Sequence, residues 1–269
     1  MIAFPIAKIN IGLYVTEKRA DGYHNLETIF YPVAWRDALE ILPAPSFQFK
    51  SYGLPIEGKA DHNLCVKAYR LLAQDFEIPP VSIHLLKQIP MGAGLGGGSS
   101  DGATTLSLLN DRFSLGLSVD QLRSYALQLG SDCPFFINPQ PSLAYGRGEI
   151  LKPIEVPQLE NGAFFLVNPM IHLSTPGAFQ QIQPQPAAFD LKTLPALPLE
   201  NWKETIHNQF EAAAVQQHPI IGECIQNLYR QGAKYAAMTG SGSTVFGIFE
   251  ASASRPTGFP THWPQRWIG

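Results

Sequence analysis

Between Lys87 and Leu109 the chain reads Lys-Gln-Ile-Pro-Met-Gly-Ala-Gly-Leu-Gly-Gly-Gly-Ser-Ser-Asp-Gly-Ala-Thr-Thr-Leu-Ser-Leu-Leu. A strand that ends in crowded glycines and then opens a helix is how a backbone builds a phosphate cradle. Glycine permits positive φ and lets peptide N–H groups approach an oxyanion with no Cβ in the way. The helix start adds unsatisfied donors and partial positive charge. A Walker A loop needs Lys and then Ser/Thr after its last glycine, whereas Gly97 is followed by Gly98, Ser99 and Ser100. The spacing Gly92, Gly94, Gly97 satisfies the dinucleotide pattern, but two helical stretches follow and no second strand arrives where NAD would need it. The run therefore reads as a cradle for a nucleotide phosphate, against the plain alternative of a glycine-rich surface loop.

Other clusters carry residue types suited to chemistry. In Pro5-Ile-Ala-Lys-Ile-Asn10 the period of a strand puts Lys8 and Asn10 on one face. A cation beside an amide suits an oxyanion, and the alternative is an exposed strand lysine. In Leu129-Gly-Ser-Asp-Cys-Pro-Phe-Phe136, Asp132 stands where a helix stops at Gly130 and a strand is expected to begin near Pro134. It is a candidate base or an ordinary turn aspartate. Cys133 beside it reads as packing, with no neighbour to activate a thiolate. Arg19-Ala-Asp-Gly-Tyr-His-Asn-Leu-Glu-Thr28 sets Tyr23 and His24 after an Asp-Gly turn, a pair able to stack on and hydrogen-bond a heterocyclic base, or a hairpin with Tyr23 covering the core edge. Gly240-Ser241-Gly242 is either a second phosphate-facing nest or a hairpin turn.

The elements that must position these residues follow from periodicity. Ile9, Ile11, Leu13 and Val15 alternate with Lys8, Asn10, Gly12 and Tyr14, so the first strand has one buried and one mixed face. Strands are predicted at Glu27–Val33, Ala38–Leu42, Phe47–Ser51 and Val81–Leu86, and helices over Asn63–Asp75, from the glycine run to about Leu109, and through Val119–Leu129. Two prolines near Lys152–Pro157 mark a domain boundary before the strand Ala163–Val167. The Pro-rich stretch Pro184–Pro198 reads as a surface loop. Helical Trp202–Gln217 and Ile220–Gln231 follow, then strands Tyr235–Thr239 and Thr244–Glu250.

With 269 residues, 45% of them hydrophobic, the chain can bury a large core. A net charge of −3 argues against a nucleic-acid or anionic-membrane surface, so phosphate affinity must come from local geometry. Cys65, Cys133 and Cys224 are odd in number and lack CxxC spacing, which fits a reducing cytoplasm and indicates neither disulfides nor a zinc site. The start lacks a basic leader and no apolar run has membrane-spanning length, so a soluble, unprocessed protein is expected.

Taken jointly, Pro5-Ile-Ala-Lys-Ile-Asn10, Pro90-Met-Gly-Ala-Gly-Leu-Gly-Gly-Gly-Ser-Ser100 and Thr239-Gly-Ser-Gly-Ser-Thr-Val-Phe246 resemble the three motifs of the GHMP kinases, which phosphorylate small alcohols and acids with ATP. Arg19–Thr28, Leu129–Phe136, Gly146-Arg-Gly-Glu149 and Asn208-Gln-Phe-Glu211 resemble the branch acting on a cytidyl-diphosphate ester of methylerythritol in non-mevalonate isoprenoid synthesis. The resemblance implies an α+β two-domain fold. Residues 1–153 would form a ribosomal-protein-S5-domain-2-like ATP-binding domain and 154–269 a ferredoxin-like domain, with the active site in the cleft.

By the same resemblance Lys8 and Asp132 match the catalytic pair and Asn10 orients the acceptor hydroxyl. Residues Pro90, Met91, Gly92, Ala93, Gly94, Leu95, Gly96, Gly97, Gly98, Ser99 and Ser100 would hold the ATP phosphates, with Asn63 and Lys87 near the adenosine. Tyr23 and Phe179 would take either face of the cytosine, His24 its edge, and Thr175 the substrate phosphates. Mg²⁺ is expected with ATP, held mainly by phosphates and water, with Ser99 or Ser100 as a contact. The partner is a small cytidyl-diphosphate substrate, with no nucleic acid and no membrane, in a monomer or a homodimer. Two departures stand out. Gly102 sits in the first turn of the cradle helix where the family pattern implies alanine, at a cost of up to about 1 kcal/mol. The proline-broken tail after Glu250 is short for the expected helix and strand.

Overall fold

The computed structural model describes residues 1–269. Strand β1 (Ile2–Ala3) precedes two long strands, β2 (Ile6–Lys18) and β3 (His24–Arg36), then β4 (Ala38–Pro43) and β5 (Gln48–Gly53). Next come α1 (Leu64–Asp75), β6 (Val81–Lys87), α2 (Gly97–Phe113) and α3 (Val119–Leu129). Strands β7 (Ser142–Tyr145), β8 (Ile150–Pro153) and β9 (Gly162–Val167) lead to α4 (Thr175–Gln180), α5 (Trp202–Thr205), α6 (Glu211–Gln217) and α7 (Pro219–Arg230). The last strands are β10 (Tyr235–Met238), β11 (Val245–Glu250) and β12 (Gln265–Ile268). No helix is long and apolar enough to cross a membrane.

The contacts gather into two compact units, one of residues 1–7, 34–91 and 96–139, the other of residues 8–33, 92–95 and 140–269. They interleave along the chain and so are a different partition from the expected 1–153 and 154–269. In the first unit a sheet of order β1-β4-β6-β5 carries α1, α2 and α3 over a core of Leu39, Ile41, Ile83, Leu85, Leu72, Leu106 and Leu109. The parallel pair β5–β6 needs a crossover, and α1 supplies it. Asn63 starts that helix by accepting the Cys65 N–H at 2.9 Å, and Ser118 with Gln121 forms a capping box on α3.

The second unit holds the antiparallel sheet β10-β11-β9-β12, against which Ile221, Cys224, Ile225 and Leu228 of α7 pack together with Leu13 and Val15 of β2. A second sheet has the order β2-β3-β7-β8. The predicted mixture of strands and helices is therefore present, with several local corrections.

Strand β2 is buried on both faces from Ala7 to Val15, because its Lys8 and Asn10 side is covered as fully as its apolar side. The expected strand at Pro134 is instead a 3-10 turn over Cys133–Ile137, and the next strand starts at Ser142. An apolar run buried all round has no periodicity to separate the two states, and Pro134 removes a ladder donor. Helix α2 runs to Phe113, beyond Leu109, and stops at Ser114 with φ +52°. The helix expected over Trp202–Gln217 is broken in two, since His207 and Gln209 leave helical geometry to pair their backbone with Leu13. Leu191 and Leu194 are buried within the presumed surface loop. The tail forms an edge strand, with Gln265 opposite Val167 and Ile268 opposite Phe164.

Gly102 lies in the second turn of α2, and its residue type has a packing cause. A Cβ there would stand 2.8 Å from Leu64 Cβ, so glycine lets α1 and α2 approach. Gly102→Ala gains up to about 1 kcal/mol of helix propensity but overpacks this contact by roughly 1–3 kcal/mol. The expected result in urea denaturation is a lower midpoint, and a raised midpoint would contradict the packing explanation.

Candidate active site

Lys8 and Asn10 share the polar face of β2 and are both 3% exposed. Lys8 Nζ donates to Asn10 Oδ1 at 2.6 Å and to the Gly94 carbonyl at 3.0 Å, and stands 5.0 Å from the centre of the Phe30 ring. Asn10 Nδ2 donates to Thr28 Oγ1 at 3.0 Å, and the Asn10 N–H donates to Thr239 Oγ1 at 2.9 Å. The Thr239 hydroxyl in turn lies 3.2 Å from the Gly94 carbonyl. The three sequence motifs thus meet at one carbonyl. The exposed-lysine alternative for Lys8 is excluded.

The backbone ties the same pieces together. Lys8 N–H donates to Leu95 O at 3.0 Å and Thr244 N–H to Ala93 O at 3.3 Å. Gly94 has φ +78°, and a Cβ on it would fall 2.0 Å from Thr239 O. A Cβ on Gly240 would fall 3.0 Å from Gly94 Cα. Only glycine permits this approach. The Gly240-Ser241-Gly242 turn is therefore packed on the glycine loop as well as joining β10 to β11.

Asn208-Gln-Phe-Glu211 is the scaffold that sequence reasoning left without a role. Asn208 Nδ2 donates to Met238 O at 2.7 Å and Gly240 O at 2.8 Å. Gln209 Oε1 accepts from Val15 N–H and Glu211 Oε2 from Met238 N–H, each at 2.7 Å. Burial pushes the Glu211 carboxyl up to about 6. Its available signal was the set of polar residues around Phe210 inside a stretch read as one helix.

On the loop expected to take a base, Arg19 and Asp21 pair at 2.8 Å and Asp21 Oδ1 accepts the Tyr23 N–H at 3.1 Å. Tyr23 is exposed and carries the Arg147 guanidinium 4.8 Å over its ring. His24 stacks on Phe179 with ring centres 4.9 Å apart and planes at 17°. One face of Phe179 is thus taken by an imidazole. Thr175, at the start of α4, shares a 2.9 Å hydrogen bond with Ser241.

In the first unit, Gly96 at φ +69° turns the chain into α2, and Gly98 and Ser99 are half-buried while Ser100 is buried. Asp132 is half-buried at the head of the 3-10 turn and its carboxylate does not cap that turn. Burial pushes the Cys133 thiol up to about 12, in keeping with a packing role. Asn63 lies at the α1 N-cap, its side-chain oxygen used there. The Lys87 ammonium is enclosed between Asp37 and Asp101 with the side chain fully buried, so its charge is held by carboxylates.

Models of the GHMP kinases N terminal domain and the GHMP kinases C terminal domain match residues 63–139 and 190–255. A 4-diphosphocytidyl-2-C-methyl-D-erythritol kinase of Bacteroides thetaiotaomicron is 51% identical over 260 residues, covering 95% of this chain and 94% of that protein. A crystal structure of 4-(cytidine 5'-diphospho)-2C-methyl-D-erythritol kinase superposes with a TM-score of 0.78 at 30% identity, over 92% of this chain and 90% of that one. The Methanococcus jannaschii mevalonate kinase shares the fold alone, with a TM-score of 0.66 at 15% identity over 94% and 92% of the two chains.

The close approach of Gly94 to Thr239 gives a direct expectation. Gly94→Ala should lower kcat/KM for ATP by roughly 10²-fold or more, because a displacement of about 1 Å at a positioned group has that effect. Steady-state kinetics on folded variant would check it, and an unchanged kcat/KM would show that the loop tolerates the displacement.

Proposed function

The chain belongs to the 4-diphosphocytidyl-2-C-methyl-D-erythritol kinases of the GHMP superfamily, and on that premise we propose how its residues phosphorylate the 2-hydroxyl of that substrate. The reading is carried by one observation: Lys8, Gly94 and Thr239, each from a different motif of the family, meet through hydrogen bonds at the Gly94 carbonyl. The reaction forms a bond between the 2-oxygen and the γ-phosphorus of ATP, breaks the bond from that phosphorus to the β,γ-bridging oxygen, and releases ADP. It belongs to non-mevalonate isoprenoid precursor synthesis, in the cytoplasm.

In this reading the N–H groups of residues 92–100 cradle the phosphates, supported by the positive φ values at Gly92, Gly94 and Gly96 and by the open start of α2. Asp132 accepts the proton of the 2-hydroxyl, and in a loose transition state its orientation of that hydroxyl matters at least as much. Lys8 neutralises developing charge and Asn10 helps orient the hydroxyl. Mg²⁺ supplies charge neutralisation on the phosphates. Such an ion would be carried mainly on phosphates and water, with the half-buried Ser99 hydroxyl at hand.

The cytosine would stack on Tyr23 and on Phe179 once His24 turns off the Phe179 face to meet the base edge. Stacking of this kind contributes about 1–3 kcal/mol per base. Thr175 and Ser241 would lie by the diphosphate, and Asn63 by the adenosine.

ADP release with Mg-ATP should be confined to the cytidyl substrate when homoserine and mevalonate are run beside it, and equal turnover on either would refute the acceptor. Asp132→Asn should lower kcat by roughly 10²-fold or more with ATP affinity little changed. Near-normal turnover would remove Asp132 from the mechanism.

A further inference from the structure

The register of β4 against β6 pairs Ala38 with Leu86, so Asp37 and Lys87 come opposite each other just beyond the end of the ladder. Strand alternation turns Lys87 to the same face as the buried Val81, Ile83 and Leu85. Asp101 and Thr105, four residues apart, lie on the buried side of α2. The result is a cation between two carboxylates, with Lys87 Nζ bonded to Asp37 Oδ2 and, at 2.8 Å, to Asp101 Oδ2. All three side chains are 97% or more buried.

These residues hold both ends of the glycine-rich loop. Asp37 Oδ1 accepts the N–H groups of Gln88 at 2.5 Å and Ile89 at 2.8 Å, where the chain leaves β6. Asp101 stands on the first turns of α2, where the chain leaves the loop. A Cβ on Gly97 would be 2.9 Å from Lys87 Nζ, so the helix start rests directly on the ammonium.

We propose that Asp37, Lys87 and Asp101 are positioning residues for ATP, a buried clamp that sets the two ends of the phosphate loop while the Asp101 carboxyl is neutral. Two ionised carboxylates against one ammonium would leave a net negative charge in the core, which is costly without a further partner. Asp101 Oδ1 is buried and has no hydrogen-bond partner, so a negative charge on it would go uncompensated. Burial, first, and then Asp37 raise the Asp101 carboxyl to about 7 against the pull of Lys87. Besides Lys87 and Asp37, the group that faces this site is the Cys65 thiol of α1, itself pushed far up by burial and neutral. The acid is therefore protonated below about pH 7 and gains its charge above it. The clamp should loosen as pH rises through that value.

The proposal rests on the loop being the ATP-phosphate cradle, and the experiment separates the two. Full-length protein, Asp101→Asn and Asp101→Leu are compared for Mg-ADP binding by calorimetry and for kcat and KM of Mg-ATP from pH 6 to 9. The amide of Asn is neutral at every pH and keeps an oxygen that can accept from Lys87. Asp101→Leu should raise KM about 10-fold with kcat within about threefold. Asp101→Asn should restore KM to within about threefold and abolish its rise above pH 7. If Asp101→Leu does not fold, the pH profile of Asp101→Asn decides alone. Unchanged KM in folded Asp101→Leu, or an Asn variant with the wild-type pH dependence, would overturn the clamp. Absence of Mg-ADP binding by the unaltered protein would overturn the cradle and the clamp with it.

Discussion

The contact on which the polar cluster of the second unit depends is the approach of the backbone at Gly94 to that at Thr239 and Gly240. No side chain fits between them, because a Cβ on Gly94 would lie 2.0 Å from Thr239 O. The Gly94 carbonyl is then brought to where Lys8 and Thr239 both donate to it. A buried ammonium needs such oxygen partners, since an unsatisfied buried charge is among the costliest features a core can hold. Loop conformation, strand β2 and the late turn are thereby parts of a single arrangement.

Much of the unit exists to maintain that approach. Asn208 holds the carbonyls on either side of Thr239, those of Met238 and Gly240, with its two amide hydrogens. Glu211 takes the Met238 N–H, and Gln209 ties the same segment back to β2 through Val15. Residues far apart in sequence fix the turn that fixes the loop. In the first unit a separate set of charges, centred on Lys87, holds the loop's two ends.

The legible parts were those with local physical signals. Glycine spacing before a run of hydroxyl residues marked the turn into α2, the period of two put Lys8 and Asn10 on one face, and Asn63 and Gly130 marked helix ends as expected. The misread parts are set by tertiary contacts. Residues 206–210 read as helix but are drawn into pairing with Leu13, and the four consecutive residues Cys133, Pro134, Phe135 and Phe136 are all buried and so show no period. That Lys87 is buried between two carboxylates had no local signal, because those partners lie 50 and 14 residues away. Gly102 looked like a weak helix residue because Leu64, the neighbour that requires it, is on another helix. The His24–Phe179 stack joins residues 155 positions apart, which no local pattern reports.

A crystal structure of the full chain with Mg²⁺ and ADP would decide whether this loop holds the nucleotide. The phosphate oxygens should lie about 3 Å from peptide N–H groups between Gly92 and Ser100, with the Gly94 carbonyl still bonded to Lys8 and Thr239. Phosphates bound elsewhere, with the loop's N–H groups turned away from them, would contradict the assignment of the glycine run as the cradle.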